Sequence, residues 1–442
     1  MDMVSLMAAS KPLSPPVIPP SIYADDVTWP EVFPHPTGDQ QVQVAVIGGG
    51  FTGVSTALNL AERGFNVHLY EAERIGYGAS GRNGGQLCQG WTTDFSKIMA
   101  RLPKDQRKMA WDVGNAGRQI IIDRCRKHKI DADLRFGYVH AALHKRHMAE
   151  LIEMRDEWEA EGYEGLDLLP DQDALAPHIT TDAYIGGLYD AQSGHLNPLK
   201  YLLGLAKAAV EAGVVIHVNC PIRSIDTARA NGVVLRHDHG QVQAEKLVMA
   251  GNAYLGKNAP SSMRQRIAPV MSGIIATEPL GDNVVSALLP GRIAVADCNT
   301  ALDYYRFDAK GRMLFGGRAS YVPMDNADIT GYIRKKMKAV FPSLADMPIK
   351  KAWSGRIGIT VDRIPHFGMV GKNSYFVQGF SGHGVALTGV AAEIIADAVA
   401  GDTRRFDTFA AIRHLPFPGG FLRTPVLALG MSYYKLKDRL RI

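Results

Sequence analysis

Three glycines spaced Gly48-x-Gly50-x-x-Gly53, within Val46-Ile47-Gly48-Gly49-Gly50-Phe51-Thr52-Gly53, carry the most specific chemistry in this 442-residue chain. Between a strand and a helix, the first glycine of such a set allows a tight turn and the second lets the backbone approach a pyrophosphate. The third lets helix pack on strand. Phe51 and Thr52 lie between the second and third glycines, ahead of the helix whose N-terminus faces the phosphates. Glu71, with Ala72 beside it, stands 23 positions after Gly48 at the end of the next apolar run, where a carboxylate accepts hydrogen bonds from a ribose diol. The alternative is an ordinary glycine turn, and the fingerprint by itself does not separate NAD from FAD.

A second stretch, Arg74 to Gln86, surrounds Arg82 with Gly76, Gly78, Gly81, Gly84 and Gly85, and adds Ser80, Asn83 and Gln86. Its backbone is free to wrap a flat or charged ligand; an exposed mobile loop is the other reading. Downstream, Leu247 to Ala253 ends a strand in small residues, and Gly251 there returns the chain to the dinucleotide site. Near the C-terminus, Gln378-Gly379-Phe380-Ser381-Gly382-His383-Gly384-Val385 precedes a helix reaching about Ala400. Unpaired N–H groups at a helix start suit negative charge, such as a reduced flavin accumulates at its N1–C2=O edge. His383 is either a contact to that ligand or a packed turn residue.

These segments, with Trp353-Ser354-Gly355-Arg356-Ile357-Gly358-Ile359-Thr360-Val361-Asp362-Arg363-Ile364-Pro365 and the tail Leu415-Pro416-Phe417-Pro418-Gly419-Gly420, resemble the FAD-dependent D-amino-acid oxidase superfamily over residues 20 to 442. Within it they are most similar to the γ-glutamylputrescine oxidases, whose relatives also oxidise L-pipecolate and other amines. The resemblance implies FAD with its ADP half at Gly48, Gly50, Gly53 and Glu71, and its flavin near Arg82 to Gln86, Arg356 and Gly382 to Val385. Ile222, on a strand after Pro221, falls where relatives contact the adenine. Relatives that tether FAD use a cysteine or histidine, but Ser354-Gly355-Arg356 and Gly81-Arg82-Asn83 have neither, so non-covalent FAD is expected.

The implied reaction removes a hydride from the carbon beside a neutral amine nitrogen. Water then hydrolyses the imine to an aldehyde and ammonia or an amine, with O2 (giving H2O2) or a respiratory quinone as final acceptor. Tyr304, Tyr305, Trp353 and His383 are candidate pocket residues, although each aromatic serves equally as core. Arg318, after Phe315-Gly316-Gly317, is the candidate for a substrate carboxylate; a surface arginine is the alternative. Two other readings stand beside this one: an oxidase or dehydrogenase of pipecolate, proline-like or D-amino acids, and a flavin-binding docking protein without turnover.

The elements that must position these residues are those of an α/β chain. Val42 to Ile47 and Asn66 to Tyr70 flank a helix beginning near Val54, a βαβ opening. Asn197 and Pro198 open a helix that stops at Gly213. Helix is also expected over Met148 to Glu161, with short strands at Tyr138 to Leu143, Val214 to Val218, Ile222 to Ile225, Val233 to Arg236, Lys246 to Met249, Ile274 to Thr277, Asp303 to Phe307 and Met313 to Phe315. The expected architecture is a Rossmann-like FAD-binding domain (41–95, 200–255 and 350–420) interleaved with a β-sheet substrate domain (96–199 and 256–349), of D-amino-acid oxidase or glycine oxidase type. A proline-rich extended arm (1–40), on the surface or on a neighbouring subunit, and a basic amphipathic tail (421–442) flank it.

Composition narrows the classes. Hydrophobic residues at 46% and charged residues at 21% fit a globular chain, and a net charge of +5 is too small at this length to suggest a nucleic-acid partner. Residues 1–40 carry one Lys against five acids and residues 421–442 five Lys or Arg against one Asp. These opposite ends suggest pairing with each other or within a homo-oligomer. Cys88, Cys125, Cys220 and Cys298 are scattered, so no metal site or disulfide framework is expected. No leader and no apolar run of spanning length is recognisable, and the cytoplasm is the expected compartment.

Overall fold

The computed structural model describes residues 21–29, 33, 36, 38–229, 231–256, 259–320, 326–418, 427 and 430. Most of the tail at 421–442, and residues 1–20 of the arm, lie outside the described residues. In chain order the strands begin with β1 (Gln40–Ile47), β2 (Val67–Tyr70), β3 (Gln86–Leu87), β4 (Arg135–Ala142), β5 (Leu166–Leu169) and β6 (Gly186–His195). They continue with β7 (Val215–His217), β8 (Ser224–Asp226), β9 (Val233–His237), β10 (Gly240–Met249), β11 (Ala268–Thr277) and β12 (Ala294–Asp297). The last are β13 (Tyr304–Phe307), β14 (Met313–Ser320), β15 (Ile349–Ile359), β16 (His366–Val370) and β17 (Ser374–Gln378). The helices are α1 (Phe51–Ala61), α2 (Phe95–Met99), α3 (Arg107–Asn115), α4 (Gly117–Lys127), α5 (Lys145–Ala160) and α6 (Gln172–Leu175). After them come α7 (Pro198–Glu211), α8 (Ser261–Arg264), α9 (Asp282–Leu288), α10 (Asn326–Val340), α11 (Gly384–Ala400) and α12 (Arg404–Ala410).

One sheet has the order β16-β17-β10-β1-β2-β7, with the β8–β9 hairpin joined to β10. β1 lies parallel to both β10 and β2, in the registers Ile47↔Met249 and Ile47↔Tyr70. Its residues from Val44 to Ile47 are all buried, as a parallel strand covered on both faces requires. α1, α7 and α11 share one apolar cluster with this sheet, through Val54, Leu58, Leu202, Leu205, Ile394 and Ile395. Asn197 caps α7 through its side chain, which accepts from Lys200 N at 3.1 Å.

The second sheet runs β15-β11-β14-β13-β12-β4-β6-β3, with β5 on β6. Ile329, Ile333 and Met337 of α10 cover one face of it together with Tyr305, Phe315 and Phe341. β3 and β15 belong here, although both fall in segments expected to join the cofactor sheet. β15 pairs with β11 along its length, from Ile349↔Thr277 to Ile359↔Ala268, and that ladder fixes its place. The helix α4, conversely, meets α11 at Gly117, where an added Cβ would stand 2.6 Å from Ala386 O.

The segment Ser21–Asp26 also departs from expectation. Instead of lying extended on a surface, Ile22 and Tyr23 are fully buried in this chain's own core within a 3₁₀ turn, Ile22–Asp25. The strand expected over Ile222 to Ile225 begins only at Ser224, where the ladder with β9 opens at Ser224↔Arg236. Among the described residues no single helix is long and apolar enough to cross a membrane, and no cluster of His, Cys, Asp or Glu is suited to a metal.

Candidate cofactor and substrate site

The C-terminal ends of β1, β2 and β10 converge on one crevice. β1 stops at Ile47 and Gly48 turns the chain at φ +115°, a left-handed value that favours glycine. Its N–H donates to Tyr70 O at 2.9 Å. A Cβ on Gly53 would lie 1.9 Å from Gly48 O, so only glycine lets α1 fold back on the turn. Phe51 N donates to Ser80 Oγ at 2.9 Å, which ties the start of α1 to the glycine-rich loop. Glu71 accepts from Gly49 N at 2.6 Å through Oε2 and from Glu73 N at 2.9 Å through Oε1. Burial pushes its carboxyl pKa up, and these N–H donors oppose the shift.

A cavity of about 350 Å³ extends from this crevice to the second sheet. Its cofactor end is lined by Gly48, Gly50, Phe51, Thr52, Glu71 and Gly251, and its middle by Ser80, Arg82, Asn83, Gly84 and Gln86. Arg356 and Gly382 to Val385 close that part. Neither N-cap residue, Gly50 of α1 or His383 of α11, caps its helix with a side chain, so apart from Phe51 N, held by Ser80 Oγ, backbone donors at two helix starts border the cavity. A glycine cradle, a half-buried acid at the end of β2 and two helix starts fit a dinucleotide.

The far end is made by the second sheet. Tyr138 of β4, Val270, Ser272 and Ile274 of β11 and Tyr304 of β13 face the cavity, with Thr300, Ala301 and Leu302 at one edge. Tyr304 OH and Ser272 Oγ lie 3.4 Å apart, and burial pushes the Tyr304 hydroxyl up to about 12, so it stays protonated. Burial lowers His383 to about 4, which keeps its imidazole neutral; Nδ1 lies 3.5 Å from Gly90 O. Cys88, beside Tyr138, is pushed up to about 12 by burial and is a thiol, not a thiolate. Arg82 donates from Nε to Tyr77 O at 2.7 Å and from Nη1 to Ser354 O at 3.1 Å. The Arg356 guanidinium stands 5.8 Å from the centre of the Tyr254 ring.

Six expected residues do not line the cavity. Gly53 and Gly85 lie behind the turns they shape, Gly85 accepting from Leu196 N at 2.8 Å. Ala72 is exposed, and Ile222 is buried in the cluster behind β1 and β10. Trp353 is fully buried and donates from Nε1 to Arg82 O at 2.8 Å, so it supports the loop and is no pocket wall. Tyr305 points to the opposite face of β13 and packs between Phe315 and Phe341. Arg318 occupies the bulge where β14 skips between Gly317 and Ala319, and its side chain lies outside the described ones.

Sequence reasoning missed Tyr138, Cys88, Ser272, Ile274 and Tyr254. The two-residue alternation of β11, which brings Val270, Ser272 and Ile274 to one face, was a usable signal; nothing local marked Cys88 or Tyr254.

With this geometry in place, likeness to known proteins adds a frame. The family described as FAD dependent oxidoreductase (DAO) matches residues 43–398. The chain is 40% identical over 401 residues to gamma-glutamylputrescine oxidoreductase of Escherichia coli (strain K12), covering 90% of this chain and 93% of that one. It is 38% identical over 427 residues to the probable oxidoreductase OrdL of Haemophilus influenzae, covering 95% and 97%. Among solved structures, glycine oxidase from Geobacillus kaustophilus superposes with a TM-score of 0.73 at 21% identity, over 85% of this chain and all of that one.

Proposed function

Because the chain belongs to the DAO family of FAD-dependent oxidoreductases, we propose that it oxidises the C–N bond of a γ-glutamyl amine, γ-glutamylputrescine or a related polyamine conjugate. The observation that supports an amine most directly is the makeup of the cavity wall. Glu71, at the cofactor end, is the only carboxylate among the described lining residues, and the second-sheet end offers Tyr138, Val270, Ser272, Ile274 and Tyr304. An ammonium brought there loses water and meets no carboxylate in the described wall itself, so it gives up its proton more readily. The neutral nitrogen then has the lone pair that oxidation of the adjacent carbon needs.

FAD, when bound, supplies the redox chemistry by accepting that hydride. In this reading Glu71 holds the ribose, the glycine turn and α1 hold the diphosphate, and the flavin lies near Arg82 to Gln86, Arg356 and Gly382 to Val385. The wall orients the C–H bond, and the neutral His383 packs beside the start of α11 without needing to move a proton. Water hydrolyses the released imine to an aldehyde and ammonia. Arg318 is the proposed holder of the remote carboxylate, O2 the proposed acceptor with H2O2 as product, and the cytoplasm the proposed compartment. Family membership as an oxidoreductase leaves the docking-protein alternative without support.

The test is anaerobic mixing of the yellow protein with γ-glutamylputrescine, free polyamines, L-pipecolate and D-amino acids. Bleaching of the visible flavin band by the γ-glutamyl amine alone is expected, followed by oxygen uptake and H2O2 release in air. Bleaching by pipecolate or a D-amino acid in its place would transfer the assignment to that substrate.

A further inference from the structure

The glycine-rich loop is held from behind by four side chains that reach four successive carbonyl groups. Ser21 Oγ donates to Gly81 O at 2.7 Å, and Trp353 Nε1 to Arg82 O at 2.8 Å. Tyr23 OH donates to Asn83 O at 2.9 Å, and Arg306 Nε to Gly84 O at 2.6 Å. The donors come from the N-terminal segment, β15 and β13. All four are buried, none more than 3% exposed, and none lines the cavity. Arg306 has no ion pair among the described residues. Its Nη2 instead donates to Tyr23 OH at 3.1 Å and Leu196 O at 3.0 Å, which joins two of the four donors.

The other side of the same loop is the cavity wall, at Ser80, Arg82, Asn83 and Gly84. In a planar trans peptide, the direction of each carbonyl sets that of the following N–H. Arg82 N and Asn83 N turn inward to Ala79 O and Gly85 N to Asn83 Oδ1, so anchoring the four carbonyls fixes the loop's own turn and with it the direction of Gly84 N. A glycine-rich loop has many backbone states to lose, and a ligand that had to order it would bind more weakly. The front of the loop has its own tie to α1 through Ser80 Oγ. We infer that Ser21, Tyr23, Trp353 and Arg306 are positioning residues that hold loop 80–86 in its cofactor-binding shape, with the N-terminal segment a remote part of the FAD site. This rests on FAD occupying the cavity.

The experiment uses the full-length protein, stripped of flavin and retitrated with FAD, in Ser21→Ala, Ser21→Thr and Tyr23→Phe forms. Fluorescence titration gives the FAD dissociation constant, visible circular dichroism reports the flavin environment, and calorimetry gives the melting temperature of the apoprotein. Loss of one buried donor is expected to raise the FAD dissociation constant about tenfold in Ser21→Ala and in Tyr23→Phe. The flavin dichroism should change in both, and Ser21→Thr, which keeps the hydroxyl, should restore both readouts. Wild-type affinity and dichroism in both donor-less variants would overturn the inference. So would an affinity loss that follows apoprotein melting alone and is not rescued by Ser21→Thr. Should Tyr23→Phe fail to fold, the two Ser21 variants decide. A wild-type protein that bound no FAD would overturn the cofactor reading itself, an outcome distinct from equal binding by all forms.

Discussion

Tyr304 and Tyr305 show what a single position decides. Neighbours on a strand point to opposite faces: Tyr304 reaches the cavity, whereas Tyr305 stacks on Phe315 with ring centres 5.1 Å apart. Tyr304→Phe removes a hydroxyl facing Ser272 at the proposed substrate end, and kcat/KM for the amine is expected to fall about tenfold with FAD affinity unchanged. Tyr305→Phe is expected to leave both constants unchanged; steady-state kinetics and FAD titration on the two variants check this. The dipeptide was visible in the sequence, but which tyrosine faced the ligand was not, because the strand is only four residues long and both tyrosines can serve as core or as wall. Trp353 misled for a similar reason, since its indole N–H is used on a backbone carbonyl behind the wall. Cys88 is the one cysteine lining the cavity, and burial keeps its thiol protonated. A protonated thiol is a poor nucleophile, so acid precipitation of the holoprotein should release all flavin into the supernatant. Yellow colour retained in the pellet would mean a covalent link.

Among elements, the connection from β12 to β13 carries a carboxyl shifted toward neutral pH. Asp297 ends β12 and accepts from Asn299 N at 3.0 Å, Asn299 Nδ2 at 2.9 Å and Asp303 N at 3.2 Å, so it shapes the loop whose Thr300, Ala301 and Leu302 border the cavity. Burial, with Asp303 adding its charge, raises the Asp297 carboxyl to about 7. A folded pKa above the unfolded one near 3.9 means that the folded state loses stability as pH rises through that window and up to about 7. Asp297→Asn keeps an acceptor and removes the charge, so its melting temperature should gain on wild type between pH 5 and about 7 and the gain should level off above that. A constant difference across that range would show that Asp297 does not titrate there. The legibility of the elements followed their local signals. β1, its glycine turn and α1 stood out because a buried parallel strand and an apolar helix write continuous patterns. β6, with Asp190, Gln192, Ser193 and Gly194, and β15, broken by Gly355 and Gly358, write no clear strand pattern; they are strands because partners on the sheet supply their pairing.

For the whole molecule, the interleaving of two sheets around one cavity could be outlined from motif order, but not the tie that the N-terminal segment makes between them. That tie depends on contacts 60 or more positions apart in sequence, which no local pattern encodes. Asp26 is its outer anchor. Its carboxylate pairs with Arg312, which also holds Asp308 at 2.6 Å, and with Lys310 at 2.6 Å. The Asp26 and Arg312 side chains are 7% and 4% exposed, so the pair is shielded from solvent. Although burial opposes it, the bonds from Arg312 and Lys310 lower the Asp26 pKa below its ordinary value. Asp26→Asn leaves Arg312 with Asp308 alone, and the cost is expected at about 1–3 kcal/mol at neutral pH. The sign with pH follows from the depressed pKa: this stability is present in full above the unfolded value near 3.9 and is lost as pH falls through the lower folded one. The gap in unfolding free energy between wild type and Asp26→Asn should therefore be level from pH 5 to 8 and close below about pH 4, as denaturant titrations at each pH would measure. Because Ser21 and Tyr23 lie on the same segment, the variant should also bind FAD more weakly. Full FAD affinity in a destabilised Asp26→Asn protein would separate the anchor of the segment from its hold on the loop.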